Sequence, residues 1–196
     1  MKPKNKSPNS HSGSGAIRII GGTWRGRKIM VPAIDGLRPT PDRVRETLFN
    51  WLMPYLPDTK CLDLFSGSGA LSIESLSRGA AQVSALENSF EAVQALKKIS
   101  ALLEIQSLNI IHADALTWLG RVADTTFDIV FIDPPFHQNL VSPCCALLEK
   151  HLWLNEAALI YVEYERDGTI DVPDSWHLHR QQQAGDVTYA LYIRAP

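Results

Sequence analysis

From Lys60 onward, short apolar segments alternate with amphipathic ones, and this alternation limits the possible folds more than any other feature. Five segments are typical of β-strands: Cys61–Phe65, Gln82–Glu87, Asn109–His112, Phe127–Ile132 and Ala158–Glu163. Between them lie four predicted helices: Gly69–Arg78, Ser89–Leu103, Ala115–Arg121 and Leu140–His151. Repeated strand–helix–strand units give parallel strands with helices on both faces. We therefore predict the α/β class, with a doubly wound, Rossmann-like sheet.

Both ends of the chain depart from this alternation. At the C-terminus, Trp176–Gln182 and Val187–Ile193 flank a turn and predict an antiparallel hairpin at the sheet edge. Near the N-terminus, Ala16–Ile20 and Lys28–Val31 flank a glycine-rich turn and predict a small β-hairpin. A helix should follow from Thr40, with Thr40 as its N-cap and Pro41 at its first position.

Three regions follow from this pattern. Residues 1–15 are rich in Lys, Pro, Asn, Ser and Gly and are predicted to be a disordered basic tail. Residues 16–55 would form the small hairpin and the helix that begins at Thr40. Residues 56–196 would form the main domain, and the hydrophobic content of 45% is enough for its core.

Charge is distributed unevenly along the chain. Residues 1–45 contain ten Lys or Arg and two acidic residues, which leaves nine basic and nineteen acidic residues elsewhere. A cationic arm on an acidic body suggests a polyanionic partner. A solvated tail is the alternative for Lys2–Lys6, but the hairpin's basic residues alternate with apolar ones. The candidate RNA-binding residues are Arg18, Trp24, Arg25, Arg27, Lys28 and Arg38.

The composition also excludes some classes of protein. There is no apolar stretch of the ~20 residues that a membrane span needs, and no secretory signal. The three cysteines, Cys61, Cys144 and Cys145, have no metal-binding spacing and are interpreted as buried thiols. We expect a cytoplasmic protein, acting as a monomer, without a metal or a membrane partner.

The first motif with chemical meaning is the segment Asp63-Leu64-Phe65-Ser66-Gly67-Ser68-Gly69, which closes the first strand of the alternating region and opens the next helix. Its glycines allow a ligand to approach the backbone, and the next helix begins there. Ser72 replaces the third glycine of a dinucleotide fingerprint, and no Gly-Lys-Ser/Thr of a P-loop follows. Tight-turn glycines without a ligand are the structural alternative.

Two acidic residues at the ends of the next strands strengthen the ligand-binding interpretation. Glu87 ends the second strand, where a carboxylate can bind both ribose hydroxyls of a nucleoside. Asp114 follows the third strand, where it could face an adenine amino group or simply cap the next helix. The neighbours Asn88 and Ala115 belong to the same candidate cofactor site.

The segment Asp133-Pro134-Pro135-Phe136 at the end of the fourth strand is the candidate catalytic motif. Two prolines cannot continue the hydrogen-bonded ladder, so they form a stiff turn. The Asp133 carboxylate and the Pro134 carbonyl can both accept hydrogen bonds from an exocyclic amine, and Phe136 can stack on its base. A chance Asp-Pro-Pro turn is the alternative.

Together these motifs resemble the class I methyltransferases, and more closely the bacterial 16S ribosomal RNA guanine-N2 methyltransferase D family, over residues 16–196. The most specific segments are Ile17–Gly22, Trp24–Lys28, Arg38–Thr40, Arg43–Glu46, Phe49-Asn50, Asp63–Gly69 and Asp133–Phe136. The resemblance implies a seven-stranded sheet, S-adenosylmethionine as methyl donor, and methylation of guanine 966 on a small-subunit particle more readily than on naked 16S RNA.

The resemblance also implies a role for individual residues. The Asp63–Gly69 loop would bind the methionine part of the cofactor, Glu87 the ribose and Asp114 the adenine. The predicted helix would cover the cofactor with a polar face formed by Arg43, Glu46 and Asn50, although a surface ion pair between Arg43 and Glu46 is the alternative.

Two other functions remain open at this point. The same turn suits adenine-N6 methylation of DNA, but little chain is left to recognise a DNA sequence. An RNA-binding assembly factor without activity could also have this fold, but it would have no need for the acceptor turn and the glycine loop.

Overall fold

A seven-stranded sheet forms the centre of the molecule, and a separate two-stranded hairpin packs beside it. The computed structural model describes residues 15–31 and 40–195. The elements of the N-terminal part are β1 (Gly15–Arg18), β2 (Lys28–Val31) and α1 (Asp42–Leu52). The elements of the main sheet and its helices are β3 (Lys60–Asp63), α2 (Ala70–Ser77), β4 (Gln82–Glu87), α3 (Phe90–Leu102), β5 (Leu108–His112), α4 (Ala115–Leu119), β6 (Phe127–Ile132), α5 (Val141–Lys150), β7 (Leu154–Glu165), β8 (Trp176–Ala184) and β9 (Val187–Arg194).

The strand order in the sheet is β5-β4-β3-β6-β7-β9-β8. The strands from β5 to β7 are parallel to one another; β9 runs antiparallel to β7, and the edge strand β8 runs antiparallel to β9. The predicted fold class, including the C-terminal antiparallel hairpin and the N-terminal extension, is confirmed. The order of connection reverses between β3 and β6, which is where open α/β sheets bind their ligands, at the carboxyl ends of the strands.

Two hydrophobic layers cover the sheet. One contains α1, α2 and α3, with Phe49, Ile73 and Leu96 fully or almost fully buried. The other contains α4 and α5, with Trp118 stacked on the buried Trp153 at 4.1 Å between ring centroids. Because β6 is covered on both sides, its side chains are apolar almost without interruption.

Two local predictions need correction. Thr40 was predicted to cap α1, but α1 begins at Asp42 and the Thr40 hydroxyl donates instead to Asp133. The strand β7 was predicted from Ala158 but begins at Leu154. The pairing of β6 with β7 shifts between Phe127 and Ile129, and Ala157 has a left-handed φ of 56°. The polar residues in this irregular segment hide its strand character from the sequence pattern.

The N-terminal hairpin is attached to α2 by a buried carboxylate. Glu74 is 1% exposed and accepts hydrogen bonds from the backbone N–H groups of Ile20 and Gly21, both at 2.8 Å. The buried Arg45 of α1 donates to the Arg18 carbonyl at 2.9 Å and lies 3.8 Å from Glu74. Thus one basic residue of the cationic segment stabilises the structure, because an unpaired buried charge would be costly.

The cysteine prediction is confirmed, since Cys61, Cys144 and Cys145 are all buried. Burial raises the pKa of Cys61 and of Cys144 to about 12, so neither is a thiolate at neutral pH. In the described residues, every helix is too short or too polar to cross a bilayer. The predicted disordered tail, apart from Gly15, and the candidate RNA-binding residue Arg38 lie outside the described residues.

Candidate active site

The glycine loop leaves the end of β3 and turns sharply into α2. Gly67 and Gly69 have left-handed φ values of 50° and 78°. A Cβ atom on Gly69 would lie 2.3 Å from the Leu96 Cδ1 atom of α3. The Ser66 N–H donates to the Leu86 carbonyl at 2.9 Å. The loop is therefore packed between β4 and α3, and any other residue at position 69 would have a strained backbone and would have to displace Leu96.

Two polar atoms in this loop are buried and accept no hydrogen bond from any described residue. Asp63 is 1% exposed; its Oδ2 accepts from the Ser72 hydroxyl at 2.6 Å, but its Oδ1 is unpaired. The Ser66 hydroxyl is buried and unpaired as well. Burial raises the pKa of Asp63 to about 7, and the nearby Asp133 carboxylate adds to the increase. Buried unpaired polar atoms in a loop are typical of a ligand site.

Glu87 lies directly beside the glycine loop, as the spacing of the motifs predicts. One carboxylate oxygen accepts from the Gly67 N–H and the other from the Ser89 N–H, both at 2.7 Å. The side chain is half-buried at the carboxyl end of β4. Its position is held by the backbone on both sides, which suits a carboxylate that binds a diol such as ribose.

Asp114, the third acidic residue, caps the helix α4, which is one of the two roles that the sequence suggests for it. Asp114 is exposed and accepts from the Thr117 N–H at 2.8 Å, at the start of α4, while Ala115 behind it is buried. Nearby, the Asn88 carbonyl lies 3.0 Å from the His112 Nε2 atom. A capping carboxylate still has acceptor capacity for a second donor.

The Asp133 turn leaves the sheet next to the glycine loop. Asp63 pairs with Phe131, and the Leu64 N–H donates to the Phe131 carbonyl at 3.1 Å. Pro134 is buried, whereas Pro135 and Phe136 are exposed. Asp133 is half-buried, and burial raises its pKa to about 6, although the hydrogen bond from Thr40 opposes the increase.

A buried pair on β7 lies behind this turn. Tyr161 and Glu163 are 0% and 4% exposed, and the Tyr161 hydroxyl donates to Glu163 at 2.6 Å. Burial raises the pKa of Glu163 to about 8, and the Asp133 charge raises it further. Sequence reasoning missed this glutamate because it is the last residue of the otherwise apolar segment Ala158–Glu163, where a polar residue marks only the end of the predicted strand. The only available signal was the position of Glu163 at the end of a strand next to β6.

The turn is also fixed on its far side. His137 has a left-handed φ of 63°, and its N–H donates to the Glu165 carboxylate. A cavity of about 40 Å³ separates the turn from the end of β7 and the start of α5. A larger cavity, of about 420 Å³, lies between the end of α3 and the edge strand β5, apart from these motifs.

The remaining predicted residues lie on the surface. Arg43, Glu46 and Asn50 of α1 are exposed, and no described hydrogen bond joins them to the glycine loop or Arg43 to Glu46. Trp24 is half-buried against the core that contains α1. The hairpin's basic side chains are exposed to solvent. These exposed residues are Arg18, Arg25, Arg27 and Lys28.

The described residues contain no group of three or more His, Cys, Asp or Glu side chains that could hold a metal ion. The polar and apolar groups of the site instead suit a ligand that combines a nucleoside with a positively charged organic group. Glu87 can bind a diol, the Asp63 Oδ1 and Ser66 Oγ atoms can bind a polar ammonium or carboxylate end, and Phe65 provides a half-buried apolar surface. The residues present therefore fit S-adenosylmethionine.

Comparison with known proteins agrees with this geometry. The family model described as Conserved hypothetical protein 95 matches residues 17–193. Ribosomal RNA small subunit methyltransferase D of Escherichia coli K12 is 51% identical over 190 residues, covering 96% of this chain and 95% of its own. The Haemophilus influenzae protein of the same name is 45% identical over 192 residues, covering 96% and 98%.

Solved structures agree as well. The Escherichia coli protein yhhF is 49% identical with a TM-score of 0.84, over 92% of this chain and 99% of that chain. A Thermus thermophilus 16S rRNA N2 G1207 methyltransferase, solved with AdoMet and guanosine, is 18% identical with a TM-score of 0.66, over 94% and 50%, and shares the fold. Since the curated relatives align over nearly their whole length, the chain belongs to the ribosomal RNA small subunit methyltransferase D family.

Proposed function

We propose that this protein transfers a methyl group from S-adenosylmethionine to the exocyclic N2 amine of a guanine in 16S rRNA. By family resemblance the target is guanine 966, within the small ribosomal subunit or its precursor. The observation that supports this most directly is the rigid Asp133 turn beside the glycine loop, at the carboxyl edge of the sheet. The names of the relatives point to ribosomal RNA as the substrate.

The cofactor would lie across the carboxyl ends of β3, β4 and β5. The Asp63–Gly69 loop would hold its amino acid end, Glu87 its ribose and Asp114 its adenine. Arg43, Glu46 and Asn50 of α1 are candidates to close over it. When bound, S-adenosylmethionine supplies an electrophilic methyl group on a sulfonium centre.

The Asp133 turn would orient the nucleophile. The lone pair of an exocyclic amine is delocalised into the base, which makes the amine a poor nucleophile. The Asp133 carboxylate and the Pro134 carbonyl would each accept a hydrogen bond from the amine. Phe136, which is 40% exposed, would stack on the base. Asp133 would also take the proton that the amine loses. A base must leave its stack to reach this turn, which favours a loop or a flipped nucleotide.

The exposed basic side chains of the N-terminal hairpin would contact the RNA backbone. The β1–β2 hairpin carries Arg18, Arg25, Arg27 and Lys28 on its surface, and such residues bind phosphates without reading sequence. Arg38 and Trp24 belong to the same proposed interface. We also propose that the protein acts as a monomer in the cytoplasm, where ribosomal subunits are assembled.

Transfer of a labelled methyl group from the cofactor tests this function. We expect small ribosomal subunits to be labelled at a guanine N2, with less labelling of naked 16S rRNA and none of duplex DNA. Asp133→Ala should abolish turnover, while the cofactor Kd stays within about threefold of wild type. Labelled DNA adenine would favour the DNA methyltransferase alternative, and subunit binding without any labelling would favour the assembly factor.

A further inference from the structure

Thr40 contacts the proposed acceptor residue although it lies 93 positions away in sequence. The Thr40 hydroxyl donates to the Asp133 Oδ2 atom at 2.9 Å. Thr40 is 9% exposed and precedes α1, which begins at Asp42. A threonine there could have capped the helix, but its side chain makes no capping hydrogen bond with α1. The hydroxyl is therefore committed to the Asp133 turn.

This contact makes the two carboxylate oxygens of Asp133 unequal. The Thr40 hydroxyl binds Oδ2, whereas no described residue donates a hydrogen bond to Oδ1. A carboxylate has about four acceptor positions but rotates about its Cβ–Cγ bond unless it is held. A hydrogen bond from a neutral hydroxyl to a charged oxygen restricts this rotation and is stronger than one between neutral groups.

We propose that Thr40 is a positioning residue for methyl transfer. Its hydroxyl holds the Asp133 carboxylate in an orientation in which the Asp133 Oδ1 atom accepts a hydrogen bond from the target amine. This inference rests on the proposed function, because it takes Asp133 as the acceptor. It adds a residue of the N-terminal segment to the site that binds the substrate base. Thr40 touches Asp133 and not the reacting atoms, so its effect passes through the carboxylate.

The same hydroxyl keeps Asp133 in its charged form among acidic neighbours. Asp63 of β3 and Glu163 of β7 both interact with the Asp133 charge, and so does the buried Tyr161 hydroxyl of β7. In the first turn of α1, Asp42 and Arg45 bind each other at 2.6 Å. Burial raises the Asp133 pKa, and the Thr40 hydrogen bond lowers it. Removal of the hydroxyl should therefore raise this pKa further.

Thr40→Val tests the proposal, since valine has nearly the same shape and no donor. We expect kcat on small subunits to fall on the order of tenfold to a hundredfold, as for loss of a hydrogen bond to a charged group. The cofactor Kd should change less than twofold. The acidic limb of the pH–rate profile should move to higher pH, because Asp133 must be ionised to act. Thr40→Ser retains the donor and should recover most of the activity.

A second readout does not depend on activity. In protein labelled with 13C at aspartate carboxyl groups, the Asp133 signal, assigned by its loss in Asp133→Asn, should titrate at higher pH in Thr40→Val than in wild type. Thr47→Val is the matched control, because the Thr47 hydroxyl on α1 donates only to the Arg43 carbonyl, and it should change neither readout.

The outcomes separate this inference from the proposed function. If wild type methylates no RNA, the proposed function fails, while the titration still reports on the Thr40–Asp133 contact. If Thr40→Val has wild-type kcat and the same Asp133 titration, the positioning role is wrong. It is also wrong if Thr40→Ser is as inactive as Thr40→Val, because a loss independent of the hydroxyl indicates a packing role.

Discussion

At the scale of single residues, Glu163 is the buried group whose charge has the clearest consequence for stability. Its pKa is raised from 4.5 in the unfolded chain to about 8 in the folded protein. The folded state therefore binds more protons than the unfolded state between these values. The contribution of this residue to stability falls as the pH rises from about 5 to 8.

Glu163→Gln should remove this pH dependence, because glutamine resembles the protonated acid and can still accept from Tyr161. We expect the variant to gain stability relative to wild type as the pH rises through this window, by at most about 1.4 kcal/mol for each pH unit. Urea unfolding at pH 5, 6.5 and 8 measures the difference. Glu156→Gln, at an exposed position of the same strand, should show no such trend. A constant difference for Glu163→Gln would contradict the prediction.

The residues of the candidate site that sequence reasoning identified share one property. Asp63, Glu87 and Asp133 each lie at or close to the carboxyl end of a predicted strand, and parallel strands bring these ends to one edge of the sheet. Thr40 was assigned to a local role, because a Thr-Pro-Asp segment has the form of a helix start. Its contact with Asp133 depends on how α1 packs on the sheet, which no local pattern reports. The site residues themselves stay predictions until they are tested by mutation.

At the scale of elements, the attachment of the hairpin to α2 depends on one glycine. Gly22 has a φ of 74°, and a Cβ atom there would lie 1.7 Å from the Ser77 carbonyl oxygen. The Thr23 N–H donates to the same carbonyl at 2.7 Å, and the Trp24 N–H to the Ser77 hydroxyl at 3.0 Å. The turn and the end of α2 are thus in direct backbone contact, and no larger residue fits between them.

Gly22→Ala should separate the hairpin from α2, and Gly26→Ala is its matched control. Gly26 has a similar φ of 84°, but a Cβ atom there has no neighbour within 4 Å. Both variants carry the cost of a left-handed alanine, about 1–2 kcal/mol, but only Gly22→Ala adds a clash. We expect it to expose Trp24, seen as a red shift in fluorescence, and to weaken subunit binding about tenfold or more. Equal effects of the two substitutions would show that the contact is unimportant.

Most of the elements could be predicted from sequence, because the parallel strands are apolar and bounded by polar turns. The bounds of β4 and β6 match the prediction at both ends. The early start of β7 could not be predicted, since a shift in strand register is a property of two strands together. The burial of Arg45 could not be predicted from the sequence either. It depends on two groups from distant parts of the chain, Glu74 of α2 and the Arg18 carbonyl of the hairpin, which come together only in the folded protein.

At the scale of the whole molecule, the charge is divided unevenly along the chain, as we expect for a protein with a polyanionic partner. The first 45 residues carry a net charge of about +8 and the remainder about −10. The exposed part of this positive charge includes the hairpin's Arg25 and Arg27, while Arg45 is buried in ion pairs. A net charge of −2 therefore conceals a basic N-terminal segment and an acidic remainder, and the exposed arginines of the hairpin are the proposed contacts to RNA.

Replacement of Arg25 and Arg27 by glutamine should weaken subunit binding and reduce its dependence on salt. Each phosphate contact contributes about 0.7–0.9 to the slope of log K against log salt concentration, so the slope should fall by about 1.4–1.8. The paired control is Lys97→Gln with Lys98→Gln, which removes the same charge from exposed positions of α3 and should leave the slope unchanged. The cofactor Kd should stay the same in both double variants.

An unchanged slope in the arginine variant would exclude these side chains from the RNA interface. An equal decrease in both variants would mean that net charge alone, and not the position of the hairpin, determines binding.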